Sequence, residues 1–141
     1  MGTRLYDAVD FGLSALGQVT TRKAIMLITD GENTWGKATM KSTLREAEES
    51  DVVVYTVKYG DFVPQKYLQE LADKTGGRYF QGGDMNAIRR SFVEVAAELR
   101  RQYVLGYEPT EPERNGLRKI KVKVNRKQVA VRARSSYTYV R

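Results

Sequence analysis

Apolar residues near the start of the chain recur at helical spacing, and two short continuous apolar runs follow them. One face of residues 4–18 carries Leu5, Val9, Leu13 and Leu16. This segment is predicted to be an amphipathic helix, with Thr3 as its N-cap. Residues 23–29 (KAIMLIT) and 52–57 (VVVYTV) are rich in branched side chains, which is typical of strands buried on both faces of a parallel sheet. We therefore expect both strands at or near the centre of a sheet.

Capping signals predict three further helices, which begin at Thr39, Pro64 and Asp84. The first runs to about residue 50, and the second stops at the Gly76-Gly77 pair. A short strand at residues 78–80 follows. The third helix has a predicted apolar face made of Ile88, Phe92, Val95, Ala96 and Leu99. This alternation of helices and strands up to residue 100 predicts an α/β fold with a parallel sheet and right-handed crossovers.

From residue 103 onwards the apolar pattern changes to a period of two. Residues 103–107 (YVLGY) are predicted to form a strand, and residues 108–116 a loop. Apolar residues at 120, 122 and 124 then alternate with lysines, and a similar alternation runs from 129 to 134 after a turn near Asn125. This pattern predicts an antiparallel hairpin with one apolar and one basic face. We divide the chain into an α/β unit at 1–102 and an antiparallel β extension at 103–141.

The composition limits which catalytic groups and metal ligands the chain can offer. The 141 residues are enough for one domain with its own core, and they include no cysteine and no histidine. Thiol nucleophiles, disulfides, common zinc sites and the usual general base are therefore excluded. A bound metal would need oxygen ligands, which suits magnesium, manganese or calcium. The apolar runs are far shorter than a membrane helix of about 20 residues, so we expect no membrane segment.

The net charge of +7 is concentrated at the C-terminal end. Residues 1–99 hold 12 basic and 14 acidic side chains, and residues 100–141 hold 12 and 3. The basic hairpin residues could contact phosphates of a polyanion: Lys119, Lys121, Lys123, Arg126, Lys127, Arg132 and Arg134. Tyr137 and Tyr139 could stack on bases. The alternative, which we adopt, is the solvated outer face of a half-buried hairpin, without nucleic acid as the partner.

A carboxylate, Asp30, directly follows the first apolar run. In an open parallel sheet, ligands bind beyond the carboxyl ends of the strands, where Tyr59, Gly60 and Asp61 are also expected. The Asp30-Gly31 step can equally be a polar turn. An enzymatic alternative makes Asp30 a nucleophile or magnesium ligand in phosphoryl transfer, with support from Glu32, Asp61 and Lys58.

Several segments together resemble the von Willebrand factor A domain family. They include residues 2–8 (GTRLYDA) and residues 29–32 (TDGE), which resemble two metal-site loops of that family. Residues 53–60 and residues 68–80 (LQELADKTGGRYF) resemble its next strand and helix–strand segment. The tail, with LRRQYVLGYEP at 99–109, is similar to a bacterial, acidobacterial-type subgroup. The resemblance implies a Rossmann-like sheet, and suggests a bacterial and often extracytoplasmic protein, although the sequence itself does not define the compartment.

The resemblance also implies a metal-binding site. Thr3 would supply a hydroxyl ligand and Asp30 a carboxylate ligand to Mg²⁺, Mn²⁺ or Ca²⁺, and the ion would bind a carboxylate of a protein partner. Partner contacts are expected from Gly31, Glu32 and Asn33. The family's principal motif, D-x-S-x-S, occurs nowhere in the sequence. We therefore expect the C-terminal part of such a domain, with weak or absent metal binding, acting as a non-enzymatic interaction or adhesion module.

The same comparison implies an exposed strand edge. In the family, the strand equivalent to residues 23–29 has a neighbour that would belong to the missing part of the domain. An apolar strand with a free edge pairs readily with another strand. We expect the C-terminal strands to cover it, a second copy to pair with it, or a partner chain to supply the missing half.

Overall fold

The computed structural model describes residues 2–61, 64–110 and 115–140. The helices are α1 (Leu5–Leu16), α2 (Met40–Glu49), α3 (Gln65–Thr75) and α4 (Met85–Arg100). The strands are β1 (Ala24–Thr29), β2 (Val53–Tyr59), β3 (Tyr79–Gly82), β4 (Gly116–Lys119) and β5 (Ser136–Tyr139). The first three strands form a parallel sheet between helices, and the last two form a separate antiparallel sheet. The predicted α/β class with a C-terminal antiparallel extension is confirmed.

The parallel sheet has the order β1-β2-β3, so β2 is central and β1 lies at an edge. The register pairs Ala24 with Val53 and Thr29 with Lys58. Strand β2 is buried along most of its length, as predicted. The prediction that β1 is buried on both faces is wrong, because Ala24 and Ile28 are exposed. Within the described residues, only β2 pairs with β1.

Two apolar cores lie on the two faces of the sheet. Helices α1, α2 and α3 pack on one face, where Leu5, Val9, Leu44, Val54 and Leu71 are buried. Helix α4 covers the other face through Ile88 and Val95, which contact Tyr55 and Val57 of the central strand. This second face is covered by one helix alone among the described residues, so it is the less protected side.

The predicted helix caps are right for two helices and wrong for a third. Thr39 and Ser42 form a reciprocal capping box at α2, and the Asp84 side chain accepts a 2.7 Å hydrogen bond from the Ala87 N–H at α4. At α1 the N-cap is Arg4, without a side-chain capping hydrogen bond. Thr3 therefore does not cap this helix.

The buried face of α4 is narrower than predicted. Ile88, Ser91 and Val95 are buried, whereas Phe92 is 51% exposed and Ala96 is also exposed. The Ser91 hydroxyl donates to the Ile88 carbonyl at 2.6 Å, so its polar group is satisfied inside the core.

The tail differs most from its predictions. Residues 103–107 form no strand, and Tyr103, Val104 and Leu105 are 74–91% exposed. The antiparallel pairing exists, but it joins Gly116–Lys119 to Ser136–Tyr139 instead of the predicted residues 119–124 and 129–134. The turn lies at residues 127–128, where Gln128 has φ 60°. Residues 111–114 of the predicted loop lie outside the described residues.

Contacts with α2 and α4 explain where the tail lies. Ser136 donates a short hydrogen bond to the Glu48 carboxylate, and Arg134 donates to the Glu48 carbonyl at 2.7 Å. Arg132 pairs with Glu98 at 3.4 Å. Because these contacts hold the tail on the helices, the expectation that the C-terminal strands cover the β1 edge is wrong. The boundary between residues 102 and 103 stays a prediction.

Candidate functional site

The carboxyl ends of β1 and β2 lie at the same edge of the sheet, which brings together the loops that follow them. Asp30 follows β1, and Gly60 follows β2 with φ 89°, a conformation that favours glycine. A Cβ on Gly60 would lie 3.5 Å from the Asp30 carbonyl oxygen. Lys58 lies beside Thr29 in the register, and Asp61 is exposed at the same edge.

The segment before α1 and the loop after β1 are joined by backbone hydrogen bonds. The Thr3 N–H donates to Thr34 Oγ1 at 2.8 Å. The N–H groups of Thr34 and Trp35 both donate to the Thr3 carbonyl, at 3.0 and 3.2 Å. Thr3, which is distant from Asp30 in sequence, is thereby held in the same loop cluster.

Asp7 holds the far end of this loop. Its Oδ1 accepts hydrogen bonds from the Lys37 N–H at 2.9 Å and the Ala38 N–H at 2.8 Å. Gly36 has φ 135°, and a Cβ there would lie 2.6 Å from the same carboxylate oxygen. Sequence reasoning missed this role, because an acidic residue in the first turn of a helix is usually explained by the helix dipole.

The Thr3 hydroxyl lies against Gly31, the residue after Asp30. A Cβ on Gly31 would be 3.0 Å from Thr3 Oγ1, so only glycine fits there without a shift. The Thr29 hydroxyl donates to the Gly31 carbonyl at 3.2 Å and accepts from the Gly31 N–H at 3.4 Å. These contacts bring the two predicted metal ligands, Thr3 and Asp30, to one small region of the sheet edge.

The three predicted partner-contact residues differ in their surroundings. Glu32 is exposed, and its charge adds to burial in raising the pKa of Tyr6. Gly31 is half-buried against Thr3. Asn33 Oδ1 accepts a 3.0 Å hydrogen bond from the Tyr6 N–H, so its side chain holds the loop to α1.

An exposed tryptophan, which sequence reasoning did not single out, lies next to these residues. The Trp35 side chain is 66% exposed, and its ring lies against Gly2, where a Cβ would be 2.3 Å from Trp35 Cδ1. Its backbone N–H is bound by the Thr3 carbonyl. Aromatic side chains held in this way are common anchors in protein interfaces.

The donor set fits a hard cation in kind but is small. Thr3 offers a hydroxyl and the exposed Asp30 a carboxylate, both of which are oxygen donors. Across the part of the chain that the structure describes, no group of three or more acidic side chains could hold a metal ion. Waters and a partner would have to supply the remaining ligands of a six-coordinate ion.

The predicted polyanion-binding residues fall into two groups. Lys119, Lys121, Lys123, Arg126 and Lys127 are exposed. Arg132 pairs with Glu98, and Arg134 donates to the Glu48 carbonyl in a half-buried position where desolvation lowers its pKa. Arg132 and Arg134 are therefore engaged within the molecule, whereas the other five cations of that set are exposed.

Comparisons with known proteins agree with this architecture. The family model described as von Willebrand factor type A domain matches residues 2–95. The crystal structure of an uncharacterized membrane spanning protein from Vibrio fischeri is similar, with a TM-score of 0.53 and 20% sequence identity. The match covers 56% of this chain and 48% of that chain, so this chain spans about half the length of that protein. This similarity concerns the fold alone.

A comparison with curated proteins gave no match. None of the helices in the described residues is both long enough and apolar enough to span a membrane. The family model covers the helices and strands from α1 to most of α4, including the loops that carry Thr3 and Asp30. This chain therefore belongs to the von Willebrand factor type A domain family.

Proposed function

We propose that this chain is a non-enzymatic interaction module that binds a protein partner at the edge formed by Thr3, Asp30 and Trp35. Domains of this family are generally interaction or adhesion modules. The observation that carries the proposal is the network that holds the loop at residues 30–38 to the segment before α1. Hydrogen bonds to Thr3, Tyr6 and Asp7 organise this loop before any partner binds.

The proposed site includes a divalent cation that is bound weakly. Thr3 and Asp30 would hold Mg²⁺, Mn²⁺ or Ca²⁺, and Gly31 and Glu32 would lie beside the incoming partner. A bound ion would supply a positive charge that accepts a carboxylate from the partner. With two protein donors, we expect dissociation constants of about 1 mM or weaker, since magnesium retains several waters when few carboxylates are present.

Trp35 would contribute apolar contact area beside that charge. Its ring is exposed while its backbone is held, so little conformational entropy would be lost when a partner packs on it. Glu32 and Asp30 place negative charge in the same loop as Trp35, so the site without a cation would repel an acidic partner. A divalent ion would therefore select for acidic partners.

Titration calorimetry with Mn²⁺ and Mg²⁺ tests the cation site. We expect weak binding by the unmodified chain, and loss of that heat in Asp30→Ala and in Thr3→Ala. Asp73→Ala is the matched control, because Asp73 is an exposed carboxylate on α3, away from the loop that carries Asp30. Equal heats from the control and Asp30→Ala would remove Asp30 from the ligand set.

Amide NMR of the same samples locates the ion. Paramagnetic Mn²⁺ should broaden the signals of Gly31 and Thr34 before those of the tail. Broadening centred on another acidic surface would contradict the proposed site.

A further inference from the structure

The free edge of β3 faces the C-terminal tail across an open cleft. This strand lies at the edge of the sheet opposite to β1, and within the described residues it pairs with β2 alone. The cleft has a volume of about 600 Å³, with residues 76–79 on one side and residues 131–133 of the tail on the other. Residues 129–133 (VAVRA) form no strand, although their alternating pattern is typical of one.

The tail already touches the sheet at one end of this cleft. Gly76 has φ 78°, and a Cβ there would lie 2.9 Å from the Ala133 carbonyl carbon and from the Arg134 nitrogen. Arg134 and Ser136 hold the tail to Glu48 just beyond this point. The backbone of the tail is therefore fixed at the residues that lead into β3, and the cleft opens from there.

The hydrogen bonds of β3 show which of its backbone groups face the cleft. The Thr56 N–H donates to the Arg78 carbonyl at 3.0 Å, so Arg78 directs its backbone groups towards β2. Backbone direction alternates along a strand. Tyr79 and Gln81 therefore present their N–H and C=O groups at the free edge.

Two ion pairs show which residue of the tail lies opposite β3. Arg78 pairs with Glu94 at 2.6 Å, and Arg132 pairs with Glu98 at 3.4 Å. Both carboxylates belong to α4 and are one helical turn apart, so the two arginines lie on the same face of the sheet. Arg132 is also the residue before Ala133, which packs at Gly76. Arg132 is therefore placed opposite Arg78.

We propose that residues 129–133, the strap, close the cleft by pairing antiparallel with β3 as a fourth strand of the sheet. From the contact at Gly76, β3 runs with rising residue numbers and the strap with falling numbers along the two sides of the cleft. With Arg132 opposite Arg78, Val131 lies opposite Tyr79 and Val129 opposite Gln81. These are the two residues of β3 whose backbone groups are free to bond.

Closure would protect an edge that is otherwise open to strands of other molecules. The pairing adds about four backbone hydrogen bonds, two for each of the two bonded pairs. Val129 and Val131, each 43% exposed, would lie on the same face as Tyr79, which packs against the core under α3. An antiparallel strand at the edge of a parallel sheet is a common arrangement. The basic hairpin would thereby be joined to the sheet.

Cysteine crosslinking tests the register in a chain that has no cysteine of its own. In Gln81→Cys with Val129→Cys, both at exposed positions, closure brings the Cα atoms to about 5.5 Å, a separation that a disulfide spans. Gln81→Cys with Val131→Cys is the matched control, because a shift of two residues along the strap separates the Cα atoms by about 9 Å. We expect an intramolecular disulfide to form about tenfold faster in the first variant than in the control. Equal rates would overturn the register, and no disulfide in either would overturn closure.

Amide exchange tests closure in the unmodified chain. The N–H groups of Tyr79 and Gln81 should be protected, although β2 does not bind them. Val131→Pro removes a donor that faces β3 and should make both amides exchange about tenfold faster. Ala130→Pro is the control, since the N–H of Ala130 points away from β3 in this register.

The remaining outcomes of the exchange measurement are equally decisive. Unprotected amides at Tyr79 and Gln81 in the unmodified chain would refute the strap. Equal effects of the two proline variants would refute the register. Protection that appears only as the protein concentration rises would show that a strand of another molecule, and not the strap, occupies the cleft.

Discussion

Side-chain oxygens of Asp7, Thr29, Asn33 and Thr34 accept backbone N–H groups and thereby fix the loop that carries Asp30. Each contact satisfies a donor that a loop would otherwise leave to water. The residues that would bind a partner, Asp30 and Trp35, remain exposed. At the residue scale, the polar side chains that shape the site are therefore largely different from those that would bind the partner.

Asp7→Ala tests this division of roles. It removes an acceptor of two backbone hydrogen bonds, so we expect a loss of about 1.5–3 kcal/mol in the free energy of unfolding. The amides of Lys37 and Ala38 should also exchange faster with solvent. Urea unfolding and amide exchange measure the two effects. Asp10→Ala, an exposed carboxylate on the same helix, is the control. An equal loss of stability in both variants would show that helix charge, and not the loop contact, explains the effect.

The resemblance placed Thr3 and Asp30 in one site, and the structure brings their loops together. Neither Asp7 nor Trp35 was assigned a role from the sequence, because their contacts join residues that are about 30 positions apart. Periodicity reports the face of a residue within its own element and carries no information on such contacts.

At the scale of secondary-structure elements, side chains of helix α2 contact α1, α3 and β5. Its inner side packs through Leu44 and Ala47. Glu46 lies near Asp10 and Ser14 of α1, and Glu48 binds Ser136 of β5 and Lys74 of α3. Glu46 therefore lies beside another carboxylate, whereas Glu48 lies beside a hydrogen-bond donor and a cation.

The elements predicted from sequence were accurate where local signals and burial agree. The strands β1 and β2, and the capping of α2 and α4, follow from apolar runs and capping residues. The position of the hairpin does not, because it depends on Arg134 and Ser136 reaching Glu48, across more than 80 residues of sequence. Alternation in residues 119–134 is compatible with several registers, and those distant contacts select among them.

Unfolding as a function of pH should distinguish the two glutamates of α2. Burial, with a further contribution from Asp10, raises the pKa of Glu46 above its usual 4.5. The folded state then holds this proton more tightly, so the contribution of Glu46 to stability falls as the pH rises from about 4.5 through the folded-state pKa. Glu46→Gln should therefore stabilise the protein at neutral pH.

Glu48 should behave in the opposite way. The hydrogen bond from Ser136, together with Lys74, lowers the pKa of Glu48. Its stabilising contribution is present above about 4.5 and is lost as the pH falls through the lower folded-state pKa. Glu48→Gln should destabilise the protein at neutral pH, with a smaller difference from the unmodified chain in acid. Urea titrations between pH 3 and 7 measure both variants, and the same sign of change in both at neutral pH would contradict the assignment.

At the scale of the whole molecule, positive charge is distributed unevenly along the chain. The last 42 residues carry the excess positive charge. Two of their arginines make internal contacts, Arg134 with the Glu48 carbonyl and Arg132 with the Glu98 carboxylate. Lys119, Lys121, Lys123, Arg126 and Lys127 remain exposed on the hairpin. Two basic side chains on α4, Arg89 and Arg90, are exposed as well. Positive charge is therefore present on more than one face, which favours a solvated surface over a dedicated polyanion site.

Retention on immobilised DNA or heparin tests this conclusion. Five exposed hairpin cations would release few counterions, so the logarithm of any binding constant should fall with a slope of about −4.5 or shallower against the logarithm of salt. We expect Lys121→Glu with Lys123→Glu to reduce retention to the same extent as Arg89→Glu with Arg90→Glu, since both pairs change the net charge equally. A much larger effect of the lysine pair, with a steep salt dependence in the unmodified chain, would contradict a merely solvated face. It would then identify the hairpin as a polyanion-binding surface, with Tyr137 and Tyr139 as the next residues to substitute.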